Sequence, residues 1–91
     1  MSIEVRVPTV LRKHTAGARL VQADGANVAA VIDSLEHQYP GLRDELLAED
    51  GQVRQFVNIY VNDEDIRYLD RLQTRIADGD SLAILPAVAG G

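Results

Sequence analysis

The stretch Ser81-Leu82-Ala83-Ile84-Leu85-Pro86-Ala87-Val88-Ala89-Gly90-Gly91 divides into two unlike halves. In the first, Leu82 and Ile84 fall on one side of an extended chain and Ala83 and Leu85 on the other, the period-2 pattern of a strand. In the second, from Ala87 onward, neither periodicity nor turn residues remain. The sequence closes on two glycines. At average glycine usage such a pair arises by chance in roughly one chain in two hundred, so its place just beyond a strand invites a chemical reading.

Upstream, Val57, Ile59 and Val61 alternate with Phe56, Asn58 and Tyr60, which predicts another strand. Asn62 to Asp65 reads as an acidic turn, with a short returning strand near Ile66 to Tyr68. Leu69 to Arg75 then crosses the edge of the domain, and Asp78-Gly79-Asp80 turns the chain into the last strand. Earlier still, Val28, Val31, Ile32, Leu35 and Tyr39 recur at helical spacing. Asn27 is the expected N-cap and Pro40-Gly41 the stop. Leu42 to Ala48 predicts a second, shorter helix, and Glu49 to Gln52 a loop. At the start, Ile3, Val5 and Val7 alternate with Glu4 and Arg6 as a half-buried strand that Pro8 interrupts. A loop over Thr9 to Gly17, with a basic tip at Arg12, Lys13 and His14, leads to a second strand over Ala18 to Ala23.

The order is strand, strand, helix, strand, short strand, strand. One main helix on a mixed sheet, with the first and last long strands central and parallel, is an α+β roll. The expected organisation is one domain over residues 1–86 and a flexible Gly-Gly tail over residues 87–91. The length of 91 residues fits a single core.

Composition narrows the function. Apolar residues form 46% and charged residues 25% of the chain, which argues for a folded domain. A net charge of −5 repels phosphate backbones and argues against nucleic-acid binding. No apolar run approaches the length of a membrane span, and the first residues lack the core of a signal peptide, so a cytoplasmic protein that leaves membranes alone is expected. There is no cysteine, which removes disulfides, thiolate metal sites and thiol nucleophiles together. His14 and His37 are the only histidines and stand apart, so no metal site is expected. Asn62-Asp63-Glu64-Asp65 lacks the glycine and distal glutamate of a calcium loop and reads as a solvated turn. Ser34 and Ser81 have no His-acid pair beside them in sequence.

Two surfaces remain as candidates. The helix covers one face of the sheet, which leaves Phe56, Tyr60 and Leu85 on the other as an apolar patch for partners. The tail is the second. Glycine allows close backbone approach and unusual torsions, as entry into a narrow activating channel requires. Ala87 and Ala89 are small as well, and Val88 is the one bulky tail side chain, expected to seat against a partner. The carboxylate of Gly91, presented by Gly90, would then be the reactive group. A carboxylate is a poor electrophile, but adenylation supplies a leaving group, and sulfide or a persulfide can displace AMP to leave a thiocarboxylate. The same adenylate could instead be joined to a lysine, as in a protein modifier.

Val7-Pro8-Thr9-Val10-Leu11-Arg12, the string Phe56-Val57-Asn58-Ile59-Tyr60-Val61-Asn62-Asp63-Glu64-Asp65, and Ile76-Ala77-Asp78-Gly79-Asp80-Ser81 running on to Gly90-Gly91 give the chain a family likeness. Over its whole length it resembles the ubiquitin-like sulfur carriers of the MoaD/ThiS family, and within them an actinobacterial, cysteine-forming branch. The resemblance implies a β-grasp fold and a carrier rather than an enzyme, with no stably bound cofactor. It implies a ubiquitin-activating-type adenylating enzyme that uses ATP and Mg²⁺. The implied sulfur acceptor is a PLP-dependent cysteine synthase or a thiazole-synthase-like enzyme, the latter serving secondary metabolism such as thiosugar formation. A zinc peptidase that releases the finished cysteine is also implied.

Overall fold

The structure, a computed structural model, describes residues 2–86; Met1 and the tail residues Ala87, Val88, Ala89, Gly90 and Gly91 lie outside them. Five strands form one mixed sheet: β1 (Ser2–Arg6), β2 (Leu20–Asp24), β3 (Val57–Val61), β4 (Glu64–Asp65) and β5 (Ser81–Pro86), in the spatial order β2-β1-β5-β3-β4. β5 lies in the middle, parallel to β1 through Val5↔Leu82 and antiparallel to β3 through Ile59↔Ile84. The first and last strands are thus parallel neighbours, as the order of elements predicts.

Two helices complete the fold, α1 (Val28–Gln38) and α2 (Leu42–Leu46). Asn27 caps α1 as expected: its side-chain oxygen accepts from the Ala30 N–H at 2.8 Å. Val28, Val31, Ile32 and Leu35 share one stripe and are buried, the 3.6-residue period at work. They pack with Ile3, Val5, Ile59, Val61, Leu82 and Ile84 from the sheet into one core. Leu42 and Leu46 of α2 extend that core beneath the loop that follows. Gly41 precedes α2 with φ of 101°, a torsion that costs glycine nothing.

Beyond shifts of one or two residues at the ends of β2 and α2, the structure differs from the sequence reading in two places. Residues Thr9–Thr15, expected as loop, form a 3-10 helical segment. Leu11 and Thr15 are buried there, so burial against the core rather than periodicity holds the segment, and the Thr15 hydroxyl closes its end locally by donating to the Ala18 carbonyl at 2.7 Å. The short strand expected near Ile66 to Tyr68 falls two residues earlier, at β4, and Ile66–Tyr68 is a 3-10 turn. The physical cause is Asp65, whose carboxylate accepts from the Arg67 N–H at 2.9 Å and curls the chain out of the sheet.

Candidate functional site

Alternation in β5 buries Leu82 and Ile84 and turns Ala83 and Leu85 outward, and the strand ends at Pro86. The site is therefore the outer face of the sheet at the end where β5 stops. Leu85 is 45% exposed and sits opposite Asn58 of β3. Phe56 occupies the turn that leads into β3; the Val57 N–H donates to the Arg54 carbonyl at 3.1 Å, and Arg54 in turn donates through Nε to the Asp44 carbonyl at 2.7 Å. That framework holds the Phe56 ring outward, 56% exposed. Phe56 and Leu85 line one open, mainly apolar groove together with Val10, Leu11, Ile84 and Pro86.

Tyr60 stands one rung along the same face, opposite Ala83, half-buried and outside that groove. Its other neighbour across the ladder is Asp65. Val10, 64% exposed, joins the groove although its sequence neighbourhood predicts a loop. The signal that could have found it is a lone large apolar residue with no periodic partner, next to the strand-breaking Pro8. Of the expected partner residues, Phe56 and Leu85 come together, Tyr60 flanks them, and Ala87, Val88 and Ala89 lie outside the described residues, as do Gly90 and Gly91.

The charged groups whose titration is shifted hold turns rather than reacting atoms. The Arg67 guanidinium bonds the Asp65 carboxylate at 2.7 Å and lowers its pKa, while Asp65 raises that of Arg67. Glu36 is lowered chiefly by the Gly41 N–H, at 3.1 Å, and by the Arg43 N–H, at 2.8 Å, which it ties across the break between the helices. Asp80 is lowered chiefly by the Ala77 N–H at 2.8 Å, and so closes the turn into β5. His14 approaches Glu45 through Nε2 at 3.4 Å, and His37 is exposed on α1. Among the described residues, no three His, Asp or Glu side chains converge as a metal site. No helix among them is long and apolar enough to cross a membrane.

Comparison with known proteins bears on the family and the fold. The family model of the ThiS family matches residues 5–91. The sulfur carrier protein CysO of Mycobacterium tuberculosis is 52% identical over 93 residues, covering the whole of both chains. The crystal structure of that protein superposes with a TM-score of 0.92 at 50% identity, covering 94% of this chain and 99% of that one. CysO of Amycolatopsis orientalis, in a crystal structure of the BexX/CysO complex, matches with a TM-score of 0.91 at 46% identity over 98% of this chain and 99% of that one. Small archaeal modifier protein 3 of Haloferax volcanii is 43% identical over 68 residues, 75% of this chain and 73% of its own. The five-stranded mixed sheet is thus a ubiquitin-like β-grasp, and the chain belongs to the ThiS family of sulfur carriers.

Proposed function

We propose that this chain carries sulfur as a thiocarboxylate on Gly91. The observation that carries the reading is similarity to a sulfur carrier over the whole chain, with the family match running through residue 91. The fold supports it, because β5 completes the core at Ile84 and leads the chain past the exposed groove toward the tail. The absence of cysteine fits a protein whose reactive sulfur is borne on the backbone terminus.

In the proposed cycle an adenylating enzyme supplies ATP and Mg²⁺, and a Gly91 carboxylate oxygen attacks the α-phosphorus as pyrophosphate leaves. Sulfide, or a persulfide followed by reductive release, then attacks the acyl carbon and AMP departs with the bonding electrons. The thiocarboxylate remains. Its sulfur passes to an acceptor enzyme, either a PLP-dependent cysteine synthase or a thiazole-synthase-like protein; where cysteine is formed on the carrier, a zinc peptidase releases it. The complex of Amycolatopsis orientalis CysO with BexX supports a carrier that docks onto a separate protein. The work of this chain is to present the tail and to be recognised, through Phe56, Leu85 and the flanking Tyr60. We place it in the cytoplasm, where ATP and reduced sulfur are at hand.

A second reading has an observation in its favour. Similarity to a small archaeal modifier protein supports joining the same adenylate to a lysine ε-amine of another protein. Deleting Gly91 tests the step that both share. The truncated chain should keep its thermal unfolding midpoint and lose all ATP–pyrophosphate exchange by the adenylating enzyme; normal exchange would refute the assignment to Gly91. Ladders of conjugates in host extract, with no thiocarboxylate on the free protein, would favour the modifier.

A further inference from the structure

The outer face of the sheet is electrically divided. Near the end of β5, Arg6, Arg12 and Arg19 line one shallow groove with Leu20 and Leu85, and among the described residues no carboxylate lines it. Further along the same face Glu4 is the next outward residue after Arg6 in β1, and at the far end Asp24 is exposed and the Ser2 N–H reaches the Asp78 carboxylate at 3.1 Å. The chain has 14 Asp and Glu against 9 Lys and Arg, so three arginines without an acid among them run against the composition. Among the described residues the ion pairs are those of His14, Arg43 and Arg67. Arg6 and Arg19 make none with another described residue. Arg12 donates through Nε to the Val7 carbonyl at 3.1 Å, which fixes its guanidinium on the groove wall. Three clustered like charges repel one another, and a facing carboxylate would relieve that repulsion.

We infer that this groove docks an acidic, apolar-centred protein surface on the adenylating enzyme, an assignment that rests on the proposed carrier cycle. The exposed Leu20 and Leu85 side chains favour a protein over a polyanion, as does the net charge of −5. Leu85 also belongs to the groove of Phe56 and Val10, so the two form one surface with an apolar centre, a basic flank at Arg6, Arg12 and Arg19, and Glu45 on the margin away from that flank. That is the anatomy of a protein interface, in which rim charges chiefly set encounter rate and orientation.

The test is ATP–pyrophosphate exchange by the host's adenylating enzyme, with the carrier concentration varied at low and at physiological salt. Arg6→Glu and Arg19→Glu should each raise the KM for the carrier about tenfold at low salt and less at physiological salt, with kcat nearly unchanged. Arg75→Glu makes the same change in charge behind the sheet, beside Asn27 at the start of α1, and should leave KM within about twofold, since a distant surface charge is largely screened. Thermal unfolding of each variant separates docking from folding, and Arg6→Gln should shift KM the same way by less. An unchanged KM overturns the inference. So does an equal shift from Arg75→Glu, which would mean net-charge steering alone, or a raised KM for ATP in place of the carrier, which would put the arginines on nucleotide phosphates. Absence of exchange by the unaltered chain refutes the carrier reading and this inference together; normal exchange with insensitive variants refutes only the inference.

Discussion

The two faces of one sheet are built from the same strands and do opposite things. On the inner face Ile3, Val5, Ile59, Val61, Leu82 and Ile84 are buried against α1. On the outer face their strand neighbours Glu4, Arg6 and Leu85 are exposed, and Tyr60 and Ala83 half-exposed. One residue of register separates a core position from a surface one, so a slip would exchange the two sets. The inner face carries stability. The outer face keeps large apolar side chains that the core does not need, which is the pattern expected of a surface that is completed by another molecule.

The sharpest way to break this comparison is to truncate equivalent apolar groups on the two sides. Leu35→Ala, at a fully buried position of α1 beneath the sheet, should cost about 2–5 kcal/mol in denaturant unfolding. Phe56→Ala should move unfolding by no more than about 0.5 kcal/mol. In direct binding to the adenylating enzyme it should instead cost about 1–3 kcal/mol, as the loss of an interface anchor does. Comparable destabilisation by both would place Phe56 in the core and erase the distinction between the faces.

Much of this division was legible in the sequence because it rests on local period. The alternation in Val57 to Val61 and in Ser81 to Pro86 fixed which side chains face inward, and Asn27 marked the start of α1 through a cap that needs only its own next turn. What stayed hidden has non-local causes. The 3-10 segment Thr9–Thr15 carries no amphipathic period and depends on burying Leu11 and Thr15 against other elements. Val10 therefore entered the groove unannounced, and the clustering of Arg6, Arg12 and Arg19 appears only once β1 and β2 are paired. Ile66 to Tyr68 suggests a strand through its apolar residues, while the Asp65 cap that turns them out of the sheet is a single side-chain bond.

A smaller effect sharpens the same contrast through pH. Glu36 supports the inner layer by joining α1 to α2, and its folded pKa is depressed by the Gly41 and Arg43 N–H groups. A depressed carboxylate contributes stability that is present above its unfolded pKa and lost as pH falls through the folded value. Unfolding stability should therefore decline below the ordinary glutamate range, about pH 4.3. Glu36→Gln should flatten that acid limb in a pH series of thermal melts and leave enzyme binding at neutral pH unchanged. An acid limb as steep as that of the unaltered chain would remove Glu36 from the account.

The most direct measurement of the central claim is the intact mass of the chain after incubation with its adenylating enzyme, ATP, Mg²⁺ and a sulfide source. The account predicts a gain equal to the difference between one sulfur and one oxygen atom, located on Gly91 by fragmentation, trapped by alkylation and absent without ATP. Formation of the adenylate with no thiocarboxylate from any sulfur donor would contradict it.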